Sequence, residues 1–355
     1  MVDVAVIPGD GIGKEIIPEV CRVINNINDE INFIYYDISS ERYLNKGITV
    51  TDNEISELKS YRAILFGAIG DFRIKPGIME QEVILRLRKD LDLYMNIRPV
   101  MSMPNVSKYN NLNITIYREN KEDFYSLING TLDNDMEFRH SDALNNYDIK
   151  ISGTSNDKLN YNLGILTEKN ITRFFRKAYE LIEDDNIVIT DKANAISMYL
   201  FWREIAKNES SKFNKNIKFE YADSLAYNII LHPEKYKHII APNLYGDILS
   251  DMTSALAGSL GYAASGNIGD KNAMFEPVHG SAPDIAGKGI ANPIAGVLSG
   301  SMLLDYLGYK KDAQRIKNII NQMLQNKIIP VESGGNAGTH DIIKYILNEK
   351  YEINN

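Results

Sequence analysis

The chain has 355 residues, 44% of them hydrophobic and 24% charged, which is globular composition with room for two domains. Its net charge of -8 and its lack of a basic block argue against nucleic acid as a partner. A single cysteine, no basic leader and no long apolar run argue against disulfides, a signal peptide and a membrane span, and so predict a cytoplasmic protein.

The first elements alternate between strand and helix. Residues 2–7 are short, β-branched and apolar, which predicts a strand, and the glycine turn GDGIG at 9–13 follows it. Apolar residues then recur at helical spacing from Ile16 to Ile27, and again within 80–93. Further strands are predicted at 31–37 and 63–66. This alternation indicates an α/β architecture with a largely parallel sheet.

The middle of the chain differs in composition. Residues 126–161 are rich in Asn, Asp and Ser with weak periodicity, so we predict strands and loops that belong to a second domain or form an exposed arm. A helix is predicted from Glu168, and a strand at 186–190 leads into DKAN at 191–194. Because no Gly/Ser linker divides the chain, any domains are expected to be interleaved.

The turn GDGIG is a weak candidate for a phosphate site. It lacks the G-x-G-x-x-G spacing of dinucleotide-binding turns, and the carboxylate of Asp10 would repel a phosphate. A tight strand-to-helix turn is the better interpretation.

Three arginines, Arg88, Arg98 and Arg118, stand near the ends of apolar elements. One such arginine is usually a surface residue or a salt-bridge partner. Three are also compatible with a carboxylate-binding cluster, because the guanidinium fork matches a carboxylate. Spacing alone leaves both interpretations open.

Acidic residues interrupt two mostly apolar segments. Asp247 and Asp251 are four residues apart and would share a helical face, and Asp223 lies in YADSLA. They cap helices, pair with arginines, or bind a hard divalent ion such as Mg²⁺ or Mn²⁺. Lys192, at the end of a predicted strand, is either solvated or a base whose pKa a nearby metal lowers.

Six segments in fixed order carry a family resemblance. They are GDGIGKE (9–15), LRKDLDLYMNIRP (87–99), YRENKEDFY (117–125), DKAN (191–194), NLYGDILSD (243–251) and FEPVHGSAPDIAGKGIANP (275–293). Together they resemble the β-decarboxylating dehydrogenases, which act on isocitrate, isopropylmalate, homoisocitrate or tartrate/D-malate. The resemblance runs from residue 4 to about 338 and is poor only at 126–161.

The resemblance implies an isopropylmalate dehydrogenase-like fold, which is α/β but not of the Rossmann type. Two interleaved α/β domains are expected, one from residues 1–100 and 253–355 with the NAD loop, the other from residues 101–252 with the dimer interface and an arm. Members are homodimers or dimer-based oligomers whose active-site cleft is completed by the partner subunit.

The resemblance also implies roles for individual residues. Arg88, Arg98 and Arg118 would bind the substrate carboxylates. Asp223, Asp247 and Asp251 would bind Mg²⁺ or Mn²⁺, with Asp223 also against the substrate. Lys192 would take the hydroxyl proton, and Tyr125 would protonate the product enolate; Asp223 and Lys192 would come from the partner subunit. The cofactor would contact a loop containing His279, Gly280, Ser281, Ala282, Pro283, Asp284, Ile290 and Asn292.

Two features of the sequence bear on specificity, one in the last motif and one on the helix before Arg88. Relatives that use NADP tend to have Lys-Tyr where this chain has Asp284-Ile285, and a carboxylate would repel a 2′-phosphate, so NAD is expected. Isocitrate-type relatives have Ser where this chain has Glu82. Ile84 and Leu85 could instead form an apolar pocket for an isopropyl group, or simply pack in the core.

The expected substrate is therefore 3-isopropylmalate, an intermediate of leucine biosynthesis. D-malate or tartrate, homoisocitrate and isocitrate remain alternatives for the same chemistry. A non-catalytic regulatory paralogue is a further alternative, but such subunits usually lose a metal aspartate, the lysine or the tyrosine, and this chain keeps them all.

Overall fold

A computed structural model describes residues 1–132, 136–141, 144–152 and 159–348. Its strands are β1 (Val2–Gly9), β2 (Ile31–Tyr35), β3 (Ala63–Ala68), β4 (Met95–Met101), β5 (Asn113–Glu119), β6 (Asn129–Leu132), β7 (Met136–Ser141), β8 (Asn146–Ile151), β9 (Leu159–Asn162), β10 (Ile187–Asp191), β11 (Ile217–Tyr221), β12 (His238–Ala241), β13 (Ala264–Ile268) and β14 (Ala273–Pro277).

The α-helices are α1 (Ile12–Ile27), α2 (Ser40–Lys46), α3 (Asp52–Leu58), α4 (Arg86–Asp90), α5 (Glu168–Leu181), α6 (Met198–Lys212), α7 (Ala222–Leu231), α8 (Asn243–Ala257), α9 (Ile294–Leu307), α10 (Lys310–Gln325) and α11 (Thr339–Asn348). A π-helical segment, Glu80–Leu85, leads into α4. Among the described residues, no helix is long and apolar enough to cross a membrane.

The described chain divides into two compact units. Unit 1 contains residues 1–93, 97–113 and 250–348, and unit 2 contains residues 94–96 and the described part of 114–249. Strands and helices alternate in both, which confirms the predicted α/β class. The domain boundaries implied by the resemblance stay a prediction.

Unit 1 is built on strands that are mostly parallel. β1 pairs in parallel with β2 and β3, β3 pairs in parallel with β14, and β13 is antiparallel to β14. Helix α1 buries Ile16, Ile17, Val20 and Ile24, so the predicted apolar periodicity reflects a real buried face. Because parallel strands end at the same edge, the turn after β1 and the ends of β3 and β14 share that edge.

Unit 2 has a second set of parallel strands. β10 pairs with β11 and β12, and β12 pairs with β5. Its core is aromatic, with the ring centroid of Trp202 lying 4.5 Å from that of Phe175 and 5.6 Å from that of Phe174. The carboxyl ends of these four strands lie at one edge, which is where parallel α/β sheets commonly bind ligands.

The polar stretch 126–161 contains two antiparallel strand pairs, β6 with β9 and β7 with β8. These agree with the prediction of strands in this stretch. Its residues 133–135, 142–143 and 153–158 lie outside the described residues, so the predicted arm is described only in part.

Candidate active site

Two of the three predicted arginines belong to unit 1, and both are buried. Arg88 on α4 is 8% exposed, and its Nη2 donates to Glu276 Oε1 at 3.2 Å. Arg98 on β4 is 7% exposed, and its Nη1 donates to Ser250 Oγ at 2.6 Å and to Asp251 Oδ1 at 2.8 Å. Burial of a guanidinium is unfavourable without such partners. Asp251 is therefore ion-paired with an arginine, which agrees with the interpretation that the aspartates pair with arginines.

Arg88 and Arg98 line one cavity of about 130 Å³ within unit 1. Its other walls come from Phe66, Gly67, Ala68, Ile69, Ile84, Ser265, Glu276, Pro277, Val278, His279 and Gly280. Arg88 Nε is buried and has no hydrogen-bond partner among the described residues. An unused guanidinium N–H beside a cavity suits a ligand carboxylate. Ile84 adds an apolar wall, whereas Leu85 is half-buried and is not one of the lining residues.

Glu276 is a site residue that the sequence analysis missed. It lies on β14, is 7% exposed, and accepts a hydrogen bond from Asn267 Nδ2 at 2.7 Å as well as the one from Arg88. The signal was present in the sequence, because a carboxylate inside the apolar strand AMFEP needs a buried positive partner.

The predicted cofactor loop, residues 279–292, is anchored to the first glycine turn. Ile12 N donates to Ser281 O at 2.8 Å, and Ser281 Oγ donates to Gly70 O at 2.7 Å. A Cβ on Gly11 would lie 1.9 Å from Ser281 O, so only glycine permits this approach. The turn GDGIG thus supports the loop, in keeping with its interpretation as a structural turn.

Asp10 of the same turn also has a structural role. Its buried carboxylate accepts hydrogen bonds from Ser40 N at 2.8 Å, Ser40 Oγ at 2.5 Å and Gly70 N at 2.9 Å. These contacts tie the residues after β1 to those after β3.

Groups that could meet a dinucleotide are present along the loop. Asp284 and Ile290 are exposed, while Ser281 and Asn292 are buried. His279 Nδ1 lies 3.0 Å from Gly280 O, and because a carbonyl only accepts, Nδ1 carries the proton. Burial lowers the pKa of His279, so the ring is neutral at pH 7. Its buried Nε2 has no partner among the described residues and could accept a hydrogen bond from a cofactor hydroxyl or amide.

The loop end is held by Asn292. Its Nδ2 donates to Glu332 Oε1 at 2.7 Å, and its Oδ1 accepts from Ile294 N at 3.0 Å at the start of α9. The groups of the loop that could bind a dinucleotide are therefore exposed Asp284 and the Nε2 atom of His279, and buried residues fix the backbone between them.

Unit 2 brings together three predicted site residues. Arg118 on β5 is 1% exposed; its Nε donates to Asn243 Oδ1 at 2.9 Å and its Nη1 to Asp247. Tyr125 Oη donates to the other oxygen of Asp247 at 2.9 Å, and the Arg118 guanidinium lies 5.3 Å from the Tyr125 ring centroid. Arg118 is thus the positive partner of Asp247, whose second oxygen orients the Tyr125 hydroxyl.

Asp123 explains why α8 begins where it does. Its Oδ2 accepts a hydrogen bond from Leu244 N at 2.9 Å, in the first turn of the helix, and its Oδ1 accepts from Tyr199 Oη at 2.8 Å. A carboxylate at a helix N-terminus satisfies unpaired N–H groups and complements the helix dipole. Asp247 and Asp251 then follow on α8, one turn apart.

Lys192 and Asp223 also meet in unit 2. Lys192 Nζ lies 2.8 Å from Asp223 Oδ2, and this contact lowers the pKa of Asp223. The Asp223 side chain is 65% exposed. Among the described residues of a single chain, no three His, Cys, Asp or Glu side chains form a metal-binding group. The carboxylate oxygens of Asp247 and Asp251 are nevertheless the ligand type that Mg²⁺ and Mn²⁺ prefer.

Sequence comparison identifies related proteins along nearly the whole chain. The family model for isocitrate/isopropylmalate dehydrogenase matches residues 3–346. A homoisocitrate dehydrogenase of Methanocaldococcus jannaschii is 37% identical, over 98% of this chain and 97% of the relative. A 3-isopropylmalate dehydrogenase of Methanothermobacter thermautotrophicus is 33% identical, over 96% of this chain and 95% of the relative.

Solved structures agree with the sequence comparison. An isocitrate dehydrogenase from Methylococcus capsulatus superposes with a TM-score of 0.85 at 26% identity, covering 98% of each chain. A β-decarboxylating dehydrogenase from Thermococcus kodakarensis, in its apo form, gives a TM-score of 0.77 at 33% identity, covering 98% of this chain and 95% of that one.

Proposed function

Because the chain belongs to the isocitrate/isopropylmalate dehydrogenase family and is therefore a decarboxylating dehydrogenase, we propose that it acts on 3-isopropylmalate in leucine biosynthesis. The products would be 4-methyl-2-oxopentanoate and CO₂, with NAD as oxidant and Mg²⁺ or Mn²⁺ as cofactor. The relative named 3-isopropylmalate dehydrogenase supports this substrate at 33% identity.

The cavity beside Arg88 and Arg98 carries the substrate proposal. Two buried arginines favour carboxylates, and Ile84 in the same wall favours an alkyl group over a third carboxylate. Arg86, two residues before Arg88, is engaged by Val50 O at 2.7 Å and by Asp52, and Lys89 is not one of the residues that line the cavity. Among the described residues that line the cavity, a third carboxylate would therefore meet no lysine or arginine besides Arg88 and Arg98, whereas an isopropyl group would not need one.

The chain's own residues then divide the chemistry. Arg88, Arg98 and Arg118 would bind and orient the carboxylates. Lys192 would accept the proton of the C2 hydroxyl as the C2 hydrogen leaves as hydride. After the bond to the C3 carboxylate breaks and CO₂ departs, Tyr125 would protonate C3, since its hydroxyl is already oriented by a hydrogen bond.

Asp247 and Asp251, with Asp223 of a second subunit, would hold the divalent ion. When bound, the ion polarises the substrate oxygens and NAD accepts the hydride. Asp284, exposed on the loop, would accept hydrogen bonds from the adenosine ribose hydroxyls and would disfavour NADP through charge repulsion.

A homodimer is part of the proposal. Helix α7, which carries Asp223 in its first turn, exposes Tyr227, Ile230 and Leu231 at 66%, 46% and 48%. Clustered exposed apolar side chains on a helix favour a protein partner. A second copy on this helix would bury them and would bring Asp223 and Lys192 to the partner's substrate.

The test compares NADH formation with Mn²⁺ on 3-isopropylmalate, D-malate, isocitrate and homoisocitrate. Purified chain should give the highest kcat/KM with 3-isopropylmalate. Ile84→Ala should lower that kcat/KM roughly 10-fold to 100-fold, because the isopropyl group loses a few apolar contacts. The kcat/KM for D-malate should change little. Leu85→Ala is the matched control, since Leu85 does not line the cavity. A clear preference for another acid contradicts the substrate assignment.

Homoisocitrate is the second candidate, because the relative named homoisocitrate dehydrogenase is 37% identical over nearly the full length of both chains. If homoisocitrate gives the highest kcat/KM, the reaction type stands and the role of Ile84 as an alkyl pocket is wrong.

A further inference from the structure

Lys192 and Asp223 come from different segments of unit 2. Lys192 directly follows β10, and Asp223 is in the first turn of α7, directly after β11. Both are at least partly exposed, at 25% and 65% of their side chains, so their own contact at 2.8 Å is weakly constrained. Something more deeply buried must fix the two segments if the pair is to keep its geometry.

The residue before Lys192 is fixed by three hydrogen bonds. Asp191 is fully buried, and a buried carboxylate is strongly unfavourable unless it is paired. Arg203 on α6 forms a fork with it, Nε to Oδ2 at 2.7 Å and Nη2 to Oδ1 at 2.9 Å. Ala193 N donates to the same Oδ1 at 2.8 Å, which closes a turn around Lys192.

The same guanidinium also contacts the strand that leads to Asp223. It lies 5.0 Å from the ring centroid of Phe219 and 4.8 Å from that of Tyr221, both on β11. Asp191 and Tyr221 are paired in register on neighbouring strands. Tyr221 is two residues before Asp223. Arg203 therefore contacts Asp191, next to Lys192, and Tyr221, close to Asp223.

We infer that Arg203 is a positioning residue that sets the placement of Lys192 against Asp223. The inference rests on the proposed function for its kinetic consequence, although the placement itself does not. Arg203 touches neither the predicted substrate arginines nor the cofactor loop among its described contacts. Lysine at this position would keep the charge, but its single amine could not form the two parallel hydrogen bonds to Asp191. It also has no planar group to lie against the rings of Phe219 and Tyr221.

The experiment compares Arg203→Lys with Arg176→Lys in the full-length protein. Arg176 is a matched control in the same unit, since it also contacts a carboxylate with two nitrogens, Nε to Glu209 Oε2 at 2.8 Å and Nη2 to Oε1 at 3.4 Å. We expect Arg203→Lys to lower kcat roughly 10-fold to 100-fold while the KM for the hydroxy acid stays within about threefold. Arg176→Lys should change neither.

A second readout does not depend on turnover. Acetylation of Lys192 by acetic anhydride is measured by peptide mass spectrometry relative to Lys235, an exposed lysine of the same unit. It should rise at least about threefold in Arg203→Lys, because the amine is no longer held against Asp223. The control should leave this ratio unchanged. If the wild-type protein oxidises none of the hydroxy acids, the proposed function fails, and the acetylation ratio still decides the inference.

Each remaining outcome is decisive. An unchanged acetylation ratio overturns the inference, even if kcat falls. Should Arg203→Lys fail to fold, Asp191→Asn removes the other half of the fork and must raise the ratio; if that variant also fails to fold, the fork is a folding element only and the inference is wrong.

Discussion

Two carboxyl groups of the YRENKEDFY segment are buried in unit 2, and their hydrogen bonds to described residues come from neutral donors. Glu119 is fully buried and Glu122 is 7% exposed. Burial, and after it the Glu119 carboxylate, raises the pKa of Glu122 from 4.5 to about 8. Burial also raises the pKa of Glu119. At neutral pH the pair therefore retains a proton, and the contacts indicate which residue carries it.

Hydrogen bonding assigns that proton to Glu122. Glu119 accepts from three N–H groups, Lys121 N at 2.8 Å, Glu122 N at 2.9 Å and Asn170 Nδ2 at 2.9 Å, and these donors stabilise its ionised form. Glu122 Oε2 accepts from Thr167 N at 2.8 Å, whereas Oε1 meets the Thr167 hydroxyl at 2.5 Å. A hydroxyl can accept as well as donate, so a protonated Glu122 keeps its contact with Thr167 by donating to that hydroxyl, whereas the contacts of Glu119 favour its ionised form.

Glu122→Gln should therefore remove a pH dependence of stability. A carboxyl group whose folded pKa is raised contributes stability that is complete below about pH 4.5 and is lost as pH rises through about 8. One pH unit between the two pKa values corresponds to about 1.4 kcal/mol, so the free energy of unfolding falls by on the order of 5 kcal/mol between about pH 4.5 and 8. Glutamine mimics the protonated acid, and the variant should become more stable than wild type above about pH 8.

Glu119→Gln is the matched control and should behave differently. Its amide NH₂ would face an N–H donor, which should reduce the free energy of unfolding by about 1–3 kcal/mol at every pH. Urea unfolding between about pH 5.5 and 9, followed by the fluorescence of Trp202, measures both variants, because Trp202 is the single tryptophan and is fully buried in unit 2. The assignment would be refuted if the free energy of unfolding of Glu122→Gln changed with pH as it does in the wild type, or if the two variants showed the same pH dependence.

Three predictions concern the proposed reaction. Lys192→Ala should lower kcat at least about 100-fold with unchanged circular dichroism, and near-normal turnover would remove its role as base. Asp284→Lys should lower the ratio of kcat/KM for NAD over NADP at least about 10-fold, because the charge facing a 2′-phosphate is reversed; an unchanged ratio would exclude contact with the ribose. Asp251→Asn should weaken the affinity for Mn²⁺, measured by calorimetry, about 10-fold or more. An affinity equal to that of the wild type would exclude Asp251 as a ligand.

Local features of the sequence determined the elements and many of the chemical groups. β-branched apolar runs and helical periodicity predicted strands now seen as β1, β2, β3 and β10, and the helix α1, because these patterns follow from the two-residue and 3.6-residue repeats of the backbone. The ordered motifs also determined the family. Boundaries were less exact: the helix predicted over 80–93 begins as the π-helical segment Glu80–Leu85 and ends at Asp90.

Only the tertiary structure decided which charges meet. Arg118 pairs with Asp247, Arg98 with Asp251 and Arg88 with Glu276, across separations of 129, 153 and 188 residues. Spacing along the chain carries no information about such pairs, since each depends on which strands and helices become neighbours in the fold. The same holds for the fork between Arg203 and Asp191. Burial then imposes the pairing, because an unpaired charge inside the protein is far less stable than one in water.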